Sequence, residues 1–294
     1  MSEHDTEINN VDQTDKNTIS TDLLEPLIAD LNSSALAIKD NSSAEGIHLI
    51  RVTLRKIRAW LGVCKKQLSE EQITDVKNNV RWISSMTGPA RDADVHLAAH
   101  LNAEVVLPNA TRLKLQKQQR DSYKKIVSEL QSDRFTDFLS QLSGISAAIA
   151  ENDTLSVDHI QDRINKLAKK SLKLGHDLNE NSADEEFHVV RKSLKKLRYT
   201  LGFLMLVSPE KKLVKTEKSL KLIQEYLGDF QDQTVLAKEL DLKASDLMKS
   251  EEQTPQDLFE LGVSTGETRA RIQRLKVGFP KEFGKFAKAL VKNL

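Results

Sequence analysis

The feature that most constrains this chain is a duplication. Residues 41–63, NSSAEGIHLIRVTLRKIRAWLGV, lie over residues 181–203, NSADEEFHVVRKSLKKLRYTLGF, without a gap, and ten of the 23 positions are identical. The same offset of 140 aligns TGPARDADV (87–95) with LGDFQDQTV (227–235), preserving Gly88/Gly228, Asp92/Asp232 and Val95/Val235. Two separate segments that agree on one offset define two homologous halves, each of which must bury its own apolar faces. The halves run over 20–155 and 156–294, behind an acidic leader at 1–20. Residues 1–22 carry a net charge of −5, leaving +6 for the remaining 272 residues, and their low hydrophobicity predicts disorder.

Each half reads as helical. Aromatics are only 5% of the chain and charged residues 30%, a balance that suits amphipathic helices and not a many-stranded β fold. Ser42 followed by Glu45, and Ser182 followed by Glu185, have capping-box spacing and predict helix starts. Gly88-Pro89 and Ser208-Pro209 mark later boundaries. Helical spacing also covers 23–39, 70–87, 91–103, 109–131, 133–150, 156–179, 210–227 and 230–248, and no alternating strand pattern persists. The expected fold is all-α, with two helical bundles. A single cysteine, Cys64, leaves no internal disulfide and fits a reducing compartment. No apolar run reaches membrane-spanning length and the N-terminus lacks a signal-peptide pattern, so a cytoplasmic protein is expected.

The repeated helix has two unlike faces. With His48 at zero on a helical wheel, Arg51, Arg55 and Arg58 fall within an arc of about 80° beside it. Leu49, Ile50, Leu54, Ile57, Trp60 and Leu61 occupy the opposite side. His188, Arg191, Lys195 and Arg198 reproduce the basic stripe in the second half. Neither helix supplies counterions, since 46–69 and 187–209 contain no Asp or Glu. Like charges at (i, i+4) carry a small cost that an extended polyanion would relieve. A merely solvated basic face has no need of fixed residue types, least of all of an imidazole at the same place twice.

Other basic positions extend the candidate site with less support: Lys56, Lys196, Arg91, Arg120, Lys124, Arg163, Lys166 and Lys170. Lys173, Lys117 and the set Lys281, Lys285, Lys288 and Lys292 continue such runs, which the offset does not reproduce and which solubility also explains. Asp92 and Asp232 follow a glycine break and are expected to begin helices, with orientation of a stripe arginine as a second role. His96 and His100 have metal-ligand spacing near Asp94, but their counterparts are Leu236 and Leu240, so no metal is expected. Trp60, Trp82, Phe203, Tyr226 and Cys64 are expected in the core or at a bundle edge. The chain has no phosphate-binding glycine loop, no dinucleotide turn and no clustered acidic ligands for Mg²⁺, so neither a cofactor nor catalysis is expected.

The pattern His-x2-Arg-x3-Arg/Lys-Lys-x-Arg, followed about thirty residues later by a G-x2-R-D or L-G-x3-D segment and duplicated, resembles the CHAD family, the "conserved histidine α-helical domain". The resemblance extends over about residues 20–294. It implies two four-helix bundles related by a pseudo-twofold axis, with a basic groove between them that binds inorganic polyphosphate. The groove positions carry over to His48, Arg51, Arg55, Arg58, His188, Arg191, Lys195 and Arg198. Such a ligand implies a location at polyphosphate granules. The sequence departs from the pattern at Gln231, opposite Arg91, which weakens that side. The alternating-Glu signature of the triphosphate tunnel enzymes that often carry this domain is absent.

Two other readings use the same stripes. One is a histidine phosphotransfer protein with His48 or His188 as acceptor, but three cations within ten residues suit a longer anion. The other is a nucleic-acid backbone binder, which the near-neutral total charge and lack of surface aromatics disfavour.

Overall fold

The computed structural model describes residues 23–41, 43–101, 109–151, 155–248 and 254–293. The acidic leader and Ser42 lie outside the described residues. Among those described, the chain is helical and contains no strand. It divides between His159 and Ile160 into two compact units.

In the first unit, α1 (Glu25–Asn41) and α2 (Ala44–Val63) pack as neighbours in sequence and in space. Their approach depends on Gly46. A Cβ there would lie 2.8 Å from Ile38 Cγ1 and 3.1 Å from the Ser34 carbonyl oxygen, so any side chain would push the helices apart. The cap of α2 is Ser43, whose hydroxyl accepts from the Gly46 N–H at 3.0 Å. The expected cap at Ser42 is thus displaced by one residue. Ile47, Ile50, Leu54, Ile57, Trp60 and Leu61 are buried as the wheel predicts, whereas Leu49 is 44% exposed at the edge of the face. A 3-10 turn, Cys64–Lys66, closes the helix and buries Cys64.

A capping box starts α3 (Glu70–Met86): Gln72 N–H donates to Ser69 Oγ, and Ser69 N–H donates to Gln72 Oε1. Ile73, Val76, Val80 and Ile83 form its buried stripe. The fully buried Thr87 then separates α3 from α4 (Gly88–Leu101), with its hydroxyl donating back to the Ile83 carbonyl. Helix α5 (Asn109–Leu130) packs on α4, and α6 (Asp133–Glu151) packs on α1, α3 and α5 through Phe135, Phe138, Leu142 and Ile145. Arg134 of α6 lies 4.2 Å over the Trp82 ring of α3, which places that tryptophan at the bundle edge.

The second unit holds most of α7 (Val157–His176), then α8 (Asp184–Val207), α9 (Lys211–Leu247) and α10 (Pro255–Asn293). The start of α8 corrects the Ser182 cap. Ala183 is the cap residue, and its N–H donates to Glu186 Oε2 at 2.8 Å; Ser182 Oγ accepts from Asn179 N–H instead. Helices α7 and α8 meet at Ser171 Oγ and Ser193 Oγ, 2.8 Å apart. The break expected at Gly228 does not form. Leu220, Ile223, Leu227, Phe230 and Thr234 keep one buried face in register through the glycine, so 210–227 and 230–248 are a single helix. Asp92 and Asp232 accordingly lie inside α4 and α9 and do not begin helices.

Helix α10 runs antiparallel to α9, with Tyr226 Oη donating to the Leu275 carbonyl and Arg269 paired with Asp241. Phe279 contacts the rings of Phe187, Tyr226 and Phe283. This aromatic cluster offsets the backbone hydrogen bond that Pro280 removes within the helix. None of the helices is long and apolar enough to cross a membrane among the described residues.

Candidate functional site

The first stripe is built where α2 passes the junction of α3 and α4. Ile50, Leu54 and Ile57 fix the rotation of α2 by burial, so His48, Arg51, Arg55 and Arg58 emerge together on its other side. Arg51 Nη1 donates to the Ser84 carbonyl at 2.8 Å and to Thr87 Oγ1 at 3.2 Å, satisfying acceptors at the C-terminal end of α3. The same nitrogen lies 3.8 Å from where a Cβ of Gly88 would be. Arg55 Nε donates to the Arg51 carbonyl, and Arg58 Nη2 donates to Ser84 Oγ at 3.1 Å.

These guanidinium groups are crowded with like charge. Burial, then Arg55 and Arg91, pushes Arg51 below the ordinary arginine value, against a pull from Asp92. Burial, then Arg51, Arg81 and Arg55, does the same for Arg58. The His48 imidazole is held below its usual range by burial, then by Arg91 and Arg55, with Glu45 opposing. Arg91 of α4 therefore lies close enough to the stripe for its charge to act on His48 and Arg51. Arg81 of α3 is an exposed member that the sequence reading missed. No ion pair among the described residues involves Arg51, Arg55, Arg58 or Arg81.

The second stripe occupies the matching face of α8, against α9. His188 Nδ1 meets Gln231 Oε1 at 2.5 Å, which makes this ring nitrogen the donor, because a glutamine oxygen only accepts. Arg191 Nη2 lies 3.8 Å from where a Cβ of Gly228 would be. Partial desolvation, then Asp229, raises the Asp232 carboxyl, whereas Arg191 and Lys195 pull it down. Asp232 thus sits in the field of two stripe cations. Arg198 differs most from Arg58. Its Nε donates to Glu217 Oε1 at 3.1 Å and its Nη1 to Gln224 Oε1 at 3.2 Å, while Gln224 is itself anchored to the Leu194 carbonyl.

The remaining basic candidates scatter. Lys56 pairs with Asp30 of α1 at 3.7 Å. Lys196 is exposed on α8, and Lys166 and Lys170 are exposed on α7. Arg163, also on α7, has a buried Nε without a hydrogen-bond partner, and burial lowers its pKa. Arg120 and Lys124 line an open cleft of about 630 Å³ on α5 with Gln119, Tyr123, Ser128 and Gln131. Both Asp94 oxygens are engaged there, by Gln119 Nε2 at 2.7 Å and Tyr123 Oη at 3.0 Å, so the carboxylate beside His96 is committed to packing. The described residues contain no cluster of three or more side chains suited to a metal ion.

The class defined by this geometry is an all-helical protein that presents His, Arg and Lys in stripes on packed helices. The CHAD domain model matches residues 22–241, and the chain belongs to the CHAD family. The match ends within α9, short of the extent expected from the motifs. A CHAD domain from the plant Ricinus communis has the same fold, with a TM-score of 0.68 at 21% identity, covering 94% of this chain and 92% of that one. PptA from Streptomyces chartreusis aligns with a TM-score of 0.54 at 15% identity, covering 89% of this chain and 99% of that one. Two uncharacterised proteins of Mycobacterium tuberculosis, from strains CDC 1551 and H37Rv, are 26% identical over 207 residues, 65% of this chain. The chain spans 39% of the length of those curated relatives.

Proposed function

We propose that the protein binds inorganic polyphosphate on the basic faces of the similar helices α2 and α8, without cutting it. The observation that carries this reading is the crowding of Arg51, Arg55 and Arg58, with Arg81 and Arg91 beside them, on a face without an ion pair among the described residues. Guanidinium groups meet phosphate oxygens in charge-assisted, often bidentate hydrogen bonds. Ten residues of α2 span about 15 Å at helical rise, long enough for several phosphates in a row. A polyanion on this face relieves the mutual repulsion that the free protein carries. The His48 imidazole, neutral while its neighbours are cationic, takes up a proton and becomes a second kind of donor once phosphate neutralises them. The corresponding location is the cytoplasm, at polyphosphate granules.

A competition titration at about 0.15 M salt, where exposed charges are well screened, tests the reading. Long-chain polyphosphate is expected to displace a labelled polyphosphate probe at concentrations where double-stranded DNA, RNA and orthophosphate do not. Equal or better displacement by nucleic acid overturns the assignment in favour of a general phosphate-backbone binder. The labelled probe is expected to be recovered at its original length after prolonged incubation with the protein; shortening overturns the non-catalytic part.

A further inference from the structure

The two stripes match in residue type and differ in what faces them. At the offset of 140, Lys77, Ser84 and Arg91 of the first unit stand where the second has Glu217, Gln224 and Gln231. Each of the three second-unit residues makes a direct contact with its stripe. Glu217 and Gln224 hold Arg198, and Gln231 meets His188. In the first unit the same places supply a hydroxyl to Arg58 and a further cation beside His48.

A carboxylate on a guanidinium is chemically what a phosphate would be there: an anionic oxygen accepting from N–H. Resting on the polyphosphate reading above, we propose that Glu217 is a built-in competitor for Arg198, so that oligophosphate fills the α2 stripe first and enters the α8 stripe only by displacing this carboxylate. The pair is placed for exchange. The Arg198 and Glu217 side chains are 40% and 30% exposed, so the carboxylate can rotate into water without leaving a buried charge behind. Gln224, by contrast, is buried and fixed, and it keeps the Arg198 guanidinium positioned while Glu217 departs. The α8 stripe therefore acts as a low-affinity site with its cations already oriented.

Calorimetric titration of the full chain with tripolyphosphate, a short probe, separates the possibilities. Wild type is expected to show a tight and a weak class of site. Glu217→Gln removes the competing charge while keeping an oxygen that can accept from Arg198. It is expected to tighten the weak class about three- to fivefold, the scale of a part-exposed ion pair, and to leave the tight class unchanged. In an Arg198→Ala background the same substitution is expected to have no effect. Arg58→Ala is expected to weaken the tight class alone. Binding by wild type with no response to Glu217→Gln, or a response that persists without Arg198, overturns the competitor role and leaves the polyphosphate reading standing. Failure of wild type to bind tripolyphosphate or long-chain polyphosphate overturns both.

Discussion

Helices α2 and α8 are near copies along their basic faces, yet they do not present the same charge. The first faces Ser84, Arg81 and Arg91; the second faces Glu217, Gln224 and Gln231. A motif on one helix thus specifies which cations are offered. The helices packed beside it, α3 and α4 in one unit and α9 in the other, decide how much of that charge is already spent.

The largest expected effect separates the stripes outright. Replacing Arg51, Arg55 and Arg58 together by Ala should weaken polyphosphate binding by about 100-fold or more, given charge-assisted bonds of about 1.5–3 kcal/mol each. The same treatment of Arg191, Lys195 and Arg198 should cost about tenfold, because part of that stripe is neutralised beforehand. Equal losses would erase the distinction. The first triple variant should also flatten the dependence of affinity on salt more than the second, since each lost phosphate contact releases one counterion fewer.

A second difference concerns packing. Gly46 of α2 corresponds to Glu186 of α8, which is exposed and accepts from the Ala183 N–H. Gly46→Ala should lower stability by about 1–3 kcal/mol, because Ile38 and the Ser34 carbonyl already fill the space. A thermal melt unchanged by this substitution would show that α1 can retreat freely from α2.

The smallest effect is a matter of pH. The folded His48 pKa lies below its unfolded value of 6.5. Its contribution to stability is therefore full above about 6.5 and is lost as pH falls from there through the folded value, where the unfolded chain binds more protons. On the proposed reading, polyanion binding reverses the sign at this site, since a nearby phosphate raises the pKa and favours the charged ring. Binding should tighten as pH falls through the histidine range, with net proton uptake. Arg91→Gln, which gives the first unit the residue of the second, should raise the His48 titration midpoint seen by NMR. His48→Asn should reduce the pH dependence of binding; an unchanged profile would make His48 a packing residue.

Much of the helical order and both stripes were legible in the sequence, because a 3.6-residue period with large apolar side chains such as Ile50, Leu54 and Ile57 fixes which way a helix turns. Helix α10 was less legible. Gly262, Gly266, Gly278, Gly284 and Pro280 all argue locally against a helix, and only the burial of Phe279, Phe283, Phe286 and Leu290 outweighs them. Gly228 misled for the same reason: a helix breaker on paper, it is carried through by Leu227 and Phe230 on either side. Ser42 and Ser182 were chosen as caps where Ser43 and Ala183 serve, since adjacent polar residues offer equally good local signals. Arg81 and Glu217 belong to other helices than the motif. Their meeting with Arg58 and Arg198 is a tertiary fact, and the only sequence hint of it was the lack of acids on α2 and α8 themselves.

Arg51 holds one edge of its guanidinium against the end of α3, with both bonds to Ser84 and Thr87 made from Nη1. A guanidinium has five N–H donors, so Nε and Nη2 remain for an incoming oxygen. The rotamer freedom that a long side chain normally surrenders on binding has here been surrendered during folding. Lysine, with a single ammonium, would have to divide itself between the helix end and the ligand. One arginine thus ties the basic face to the fold, and on the proposed reading it is held in place before any anion arrives.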